Sequence, residues 1–339
     1  MREITAPVTG VTAAALALAV TLLFLLPTAA GAKTALVELR VEGPSGPLEP
    51  GAWYVVGSDR IKRATPADDC VPRSGSTLFR GANALTLLGS ADDANADLRT
   101  VRYRNTDFGP QVCQIGDETS FGHYPNASGG FLYWVDYVSG FSSPDVAEIE
   151  NGQSVLWYHA TFPSDPPQIG EPSINTGLPL ELKRVPARDA DGEFTARVVS
   201  HDFDGTPSPV SDATIEGAEA VTPIGGGEYA ITVGGGRSVL TAERGVDVPS
   251  NHVETCSKTP LGKCPKAHGR TVYGSDRGDA LRGTRGFDDI ASAGGDDVID
   301  LRKGGKDRAD CGKGDDVVRI KSGDGDDRIA RDCERVRRT

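Results

Sequence analysis

At 339 residues the chain is too long for one ordinary domain, and its formal charge of −12 argues against non-specific binding to nucleic acid. Glycine is abundant (42), methionine nearly absent (1) and aromatic residues are few, which favours turn-rich β structure over helical bundles. From Gly274 to the end there are 16 acidic and 15 basic side chains, so the excess acid lies upstream.

The chain opens MREITAPVTGVTAAALALAVTLLFLLPTAAGA. Arg2 precedes an apolar run from Val11 to Leu26, Pro27 breaks it, and Ala30-Gly31-Ala32 offers a small-x-small cleavage pattern. Residues 1–32 therefore have the form of a secretory signal peptide, the rival being an uncleaved anchor. No second apolar span follows, so a mature chain from Lys33 is expected outside the cell with no membrane span. Six cysteines fall in three local pairs, and proximity favours Cys70 with Cys113, Cys256 with Cys264, and Cys311 with Cys333. No C-x-x-C occurs, which argues against a zinc ribbon or a thioredoxin-type site.

In residues 33–163, TALVELRVEG alternates with Val37, Leu39 and Val41 on one face and reads as a strand. STLFRGANALTLLG suggests a helix capped by Ser76 and ended by Gly89. Strong strands follow at 131–138 and 154–162. Residues 164–177 form a proline-rich linker. Short, evenly spaced strands from 178 to 256, punctuated by DADG and DFDG turns, suggest a small Ig-like β-sandwich. Residues 257–273 read as a second linker.

The 34–163 stretch sets a strand, a cysteine, a short helix and a second cysteine before W-x-x-x-V-x-G and G-x-x-V-x-W, carried by Trp134, Val138, Gly140, Gly152, Val155 and Trp157. It resembles the transcobalamin C-terminal-like domain, with Ser139 and Gln153 departing from that pattern. The resemblance implies a small α+β domain. Corrinoid binding does not carry over, because the helical barrel that holds the vitamin in those carriers has no counterpart here. The simpler reading of Trp134, Tyr137 and Trp157 is sandwich core.

Residues 274–339 repeat in nines: GSDRGDALR, GTRGFDDIA, SAGGDDVID, RKGGKDRAD, CGKGDDVVR and SGDGDDRIA. The sixth position is always Asp (Asp279, Asp288, Asp297, Asp307, Asp316, Asp327). The eighth is aliphatic, from Leu281 to Ile329. Glycine recurs at the fourth as Gly286, Gly295, Gly305, Gly314 and Gly325, Arg277 being the exception. This pattern resembles the RTX nonapeptide, which implies a C-terminal parallel β-roll that folds on Ca²⁺ after export from a bacterium. Stacked carboxylates and turn carbonyls suit a hard dication bound by oxygen, so those aspartates with Gly286, Gly295, Gly314 and Gly325 are the expected metal site. The alternative is neutralisation by Arg277, Arg285, Lys303, Lys306 and Lys313 within the turns.

The fold expected is mainly β in three modules, and the function expected is non-enzymatic. The chain lacks H-E-x-x-H, G-x-S-x-G and P-loop motifs, and its five histidines are scattered. An exported calcium-binding protein of the cell envelope or medium, meeting an extracellular protein or glycan, is the leading reading. A corrinoid-like carrier using the first module, or a secreted hydrolase, are the alternatives. Mass spectrometry of exported protein is expected to give Lys33 as the first residue, and a membrane-held product retaining residues 1–32 would overturn that reading.

Overall fold

The computed structural model describes residues 34–65, 70–119, 129–161, 177–187, 191–258, 264, 268–323 and 325–339. The expected leader, and the first linker except Gly177, lie outside them. The chain is mainly β. Among the described residues no helix is long and apolar enough to cross a membrane. All three cysteine pairs are bonded as their spacing suggested, with Cα atoms 5.6, 5.8 and 5.1 Å apart, which suits an oxidising compartment.

The first region holds β1 (Ala35–Gly43), β2 (Gly46–Val56), β3 (Asp59–Ala64), β4 (Pro72–Phe79), α1 (Ala84–Ala94), β5 (Arg102–Thr106), β6 (Gly109–Ile115), β7 (Glu118–Thr119), β8 (Gly129–Val135), β9 (Val138–Ser139) and β10 (Ser154–Thr161). Strands β2-β1-β10-β8-β9 form one sheet and β4-β3-β5-β6-β7 another, with α1 contributing to the shared core. The helix begins later than the sequence suggested. Ser76 lies in β4, paired with Lys62, and the cap is Asn83, whose side chain accepts from Thr86 N (2.9 Å) while Thr86 Oγ1 accepts from Asn83 N (3.0 Å). Gly89 is inside the helix, where a Cβ would collide with Ile61.

On β1, Val37, Leu39 and Val41 enter the core as expected. The opposite face is polar yet also buried: Arg40 is 5% and Glu42 4% exposed, 3.4 Å apart, and Arg40 Nη2 donates to Pro249 O (3.0 Å). The middle region covers it. That region comprises β11 (Leu180–Lys183), β12 (Glu193–His201), β13 (Pro207–Pro209), β14 (Thr214–Glu216), β15 (Ala220–Gly225), β16 (Glu228–Thr232), β17 (Gly236–Glu243) and β18 (Val253–Ser257), in two antiparallel sheets around its own core. Its DFDG segment is a turn, with Asp202 Oδ1 accepting from Asp204 N and Thr206 N and Gly205 at φ +82°. The turn seats Phe203 against Trp134 (5.7 Å between centroids), and Ser139 N donates to Phe203 O (3.0 Å). Trp134 packs with Leu156, Tyr158 and Val248, whereas Trp157 lies in the first core beside Tyr133. The two tryptophans thus face opposite sides of one sheet.

The tail contains β19 (His268–Tyr273), β20 (Ala280–Arg282), β21 (Phe287–Ala291), β22 (Val298–Asp300), β23 (Arg308–Asp310), β24 (Val317–Ile320), β25 (Arg328–Ile329) and β26 (Arg335–Arg338). Successive strands alternate between two parallel sheets, β19-β21-β23-β25 and β20-β22-β24-β26. His268–Tyr273, expected within a linker, is a strand. It pairs in parallel with β2 (Val272 with Trp53, Tyr273 with Tyr54), so one nine-stranded sheet runs β25-β23-β21-β19-β2-β1-β10-β8-β9. Arg270 lies 3.8 Å above the Trp53 ring, Tyr54 stacks on Tyr273, and Val55 joins the tail's core.

Burial raises the Glu42 carboxyl to about 7 despite the nearby Arg40. The folded chain then holds that proton more tightly than the unfolded one, so stability falls as pH rises from about 4.5 to 7. Asp59, raised to about 6 chiefly by burial, acts in the same direction. His252, lowered by burial, acts oppositely below pH 6.5. Glu42→Gln is expected to flatten the decline, gaining about 2 kcal/mol over the wild type at pH 7.5 relative to pH 4.5, read by denaturant titration.

Candidate metal centre

Short strands expose few apolar atoms, and the tail's core takes the position-eight aliphatics Leu281, Ile290, Ile299, Ala309, Val318 and Ile329, with the inserted Leu301 and Ile320 beside them. The turns between them stack closely. A Cβ on Gly295 would strike Arg277 backbone, one on Gly314 the Gly295 carbonyl, and one on Gly305 the Gly286 carbonyl. Position four is glycine because the neighbouring turn occupies the space a side chain needs. Gly325, in the last turn, has no such neighbour.

The position-six aspartates form two ladders along the coil. In one, Asp279 N donates to Asp297 Oδ1 (2.7 Å), Asp297 N to Asp316 Oδ1 (2.8 Å), and Asp316 N to Glu334 Oε2 (2.9 Å). In the other, Arg270 N donates to Asp288 Oδ1 (2.7 Å), Asp288 N to Asp307 Oδ1 (3.0 Å), and Asp307 N to Asp327 Oδ1 (3.1 Å). Each Oδ1 satisfies a backbone N–H of the preceding coil that the strand ladder leaves over. Asp288, Asp297, Asp307 and Asp316 are each at most 1% exposed; Asp279 and Asp327 are half-buried.

The second oxygen divides the repeats. In the first two, position two is a hydroxyl residue. Asp279 Oδ2 accepts from Ser275 N (2.7 Å) and Oγ (3.0 Å), and Asp288 Oδ2 accepts from Thr284 N (2.6 Å) and Oγ1 (3.1 Å). In the third and fifth repeats position two is Ala293 and Gly312, and the buried Oδ2 atoms of Asp297 and Asp316 have no hydrogen-bond partner. The Ser292 hydroxyl gives its proton to Cys311 O (2.9 Å). Burial, with the charges of Asp279 and Asp316 behind it, raises Asp297 to about 6 against the pull of the Asp279 N–H.

The cations within the turns do not relieve this. Arg277, Arg285, Lys303, Lys306 and Lys313 are all exposed. Among the described residues no ion pair joins any of them to Asp279, Asp288, Asp297 or Asp316, and Lys306 meets Asp326 instead (3.8 Å). Nor, among the described residues, do three or more His, Cys, Asp or Glu side chains gather in a group that could hold a metal ion. A cation on either ladder would therefore draw on paired carboxylates plus backbone carbonyls and water.

Three participants escaped the sequence reading. Arg270 and Glu334 occupy position six of degenerate half-coils before and after the six recognisable repeats, with Val272 and Val336 at position eight. Asp332 accepts from Cys311 N and Gly312 N and lies beside Asp310. Burial and the neighbouring Asp332 carboxylate push Asp310 up. The spacing back from Asp288 and on from Asp316 was the available signal.

His201 bridges Glu181 Oε2 (2.8 Å) and Gly205 O (3.1 Å), His159 packs edge-on to Phe131, and His268 packs edge-on to Phe287. His123 lies outside the described residues. Of the first region's aromatics, Trp134 is covered by Phe203 and Tyr137 is stacked on His201, whereas Trp157 borders an open cavity with Phe131, Tyr133 and Phe141.

Two substitutions separate satisfied from unsatisfied carboxylates. In chelator, Thr284→Val is expected to destabilise the protein by about 1 kcal/mol through loss of its hydroxyl contacts to Asp288. Asp297→Asn is expected to stabilise it at pH 7.5, since it removes a buried charge while keeping the Oδ1 acceptor; equilibrium denaturation reads both.

Comparison of the chain with protein-family models, with curated proteins and with solved structures returned no match, so the assignment of this centre rests on its own geometry.

Proposed function

We propose that this is an exported, non-enzymatic binding protein, acting at the cell envelope or in the medium, whose tail is a parallel β-roll completed by calcium. The observation that carries the reading is the pair of buried Oδ2 atoms on Asp297 and Asp316, consecutive on one ladder and without hydrogen-bond partners. Two carboxylate oxygens beside a glycine-lined turn are hard donors. No thiolate is free among the described residues, since every cysteine is bonded, so the donor set favours Ca²⁺ over softer metals.

In this reading Asp297 and Asp316 hold the ion, with turn carbonyls and water completing its shell. Calcium supplies the positive charge that lets both carboxylates stay ionised while buried. Asp279 and Asp288, each already satisfied by a hydroxyl and an N–H, need no ion. The first two repeats then keep the tail's attachment to the first region in any calcium concentration, and the later repeats respond to it. The three-module organisation, with an Ig-like middle and a transcobalamin-C-like first part, belongs to the same proposal.

Thermal unfolding of the full chain in calcium and in chelator tests it. Calcium at a hundredfold excess over its Kd is expected to stabilise the fold by about 3 kcal/mol, and magnesium much less. The increment is expected to vanish in Asp297→Asn with Asp316→Asn, and to grow when Cys311–Cys333 is reduced, because both devices hold the same end of the coil. Equal midpoints in calcium and chelator would refute the calcium assignment.

A further inference from the structure

The outer face of the β20-β22-β24-β26 sheet carries charge that the fold does not balance. Parallel register places Arg282, Asp300, Arg319 and Arg337 side by side in one column, each step being one strand spacing of about 4.8 Å. Asp300 is the only carboxylate of that column. Arg302 holds it through two hydrogen bonds of 2.8 Å, which keep it ionised. With Arg302 counted, four guanidiniums stand against one carboxylate, a local charge of +3 in a chain of net −12.

Arg319 and Arg337 are direct neighbours on adjacent strands, and like charges so placed are destabilising. Among the described residues neither has an ion-pair partner, whereas Arg335 is matched to Asp315 (2.9 Å). Protecting a sheet edge explains charge on β26. It does not explain Arg319, on the interior strand β24.

We propose that this face docks a linear acidic polysaccharide, its uronate carboxylates received by the column of arginines. Every cation of the column is arginine, whose planar fork matches a carboxylate in two-point fashion. Beside it on the same face runs a second column, Ala280, Val298 and Val317 ending at Arg335, whose exposed Ala280 and half-buried Val298 suit the C–H faces of sugar rings. The acidic remainder of the chain repels a dense polyanion such as a nucleic-acid duplex more strongly than a polymer with carboxylates spaced along its sugars. The inference deepens the proposed extracellular binding role by naming a partner, and rests on it only for where the polymer is met.

The test uses the full chain and a hyaluronan oligosaccharide as probe, with neutral dextran and duplex DNA of similar length as comparisons, in calcium and in chelator at physiological ionic strength. Hyaluronan is expected to bind, dextran not to, and DNA to bind more weakly than hyaluronan. Arg319→Glu with Arg337→Glu is expected to weaken hyaluronan binding about tenfold or more, and Asp300→Asn to strengthen it. Arg282→Glu, on another strand, serves if thermal melts show the double variant to be unfolded. Hyaluronan binding no tighter than dextran, tighter binding of DNA, or an unchanged affinity in folded charge-reversed variants would overturn the proposal. If calcium still stabilises the chain in that event, only the polysaccharide reading falls.

Discussion

A coil of two- to six-residue strands with one or two aliphatics per half-turn has too little apolar surface to close its own ends. The tail depends on having both ends closed by something else. At one end β2 supplies a full strand, with Trp53 and Val55 packed into the tail's core and Arg270 laid over the indole. At the other, Cys311–Cys333 and the Glu334 carboxylate tie down the coil that carries Asp316. The wide sheet of the first region is therefore a structural part of the tail.

That arrangement turns polar groups inward in a controlled way. Each position-six aspartate after Asp279 presents one oxygen to the backbone of the coil before it, so the ladders act as a second set of inter-strand bonds. The other oxygen is the variable. Where Ser275 or Thr284 stands four residues earlier, it is satisfied locally; where Ala293 or Gly312 stands there, it is not. One side chain per turn thus decides whether a repeat is self-sufficient or in need of a counter-charge.

The repeat period, the inward aliphatics, the aspartate register and all three disulfides were legible in the sequence because each imposes a strict spacing. The hydroxyls Ser275 and Thr284 were equally visible, but their meaning depends on which carboxylate oxygen they reach. The degenerate half-coils at Arg270 and Glu334 were hidden by loss of the consensus residues at the two ends, where the structure uses β2 and a disulfide instead. The helix was misplaced by a few residues because Ser76 can cap as well as Asn83, and the pairing of β4 with β3 decided against it. Arg40 and Glu42, on the polar side of an alternating strand, gave no sign of burial, since burial there comes from a separate region of the chain.

The join between β19 and β2 also fixes an order of assembly. Trp53 and Tyr54 belong to one of the first strands to leave the site of synthesis, yet their partner arrives only after the whole middle region has been made. Until then β2 presents a bare edge with a large aromatic on it, the kind of surface that captures stray strands. The middle region packs around its own core and hands the tail back to the first region, which shortens the search for that edge. A chain cut before His268 would keep most of its contacts and still lose its protection against self-association.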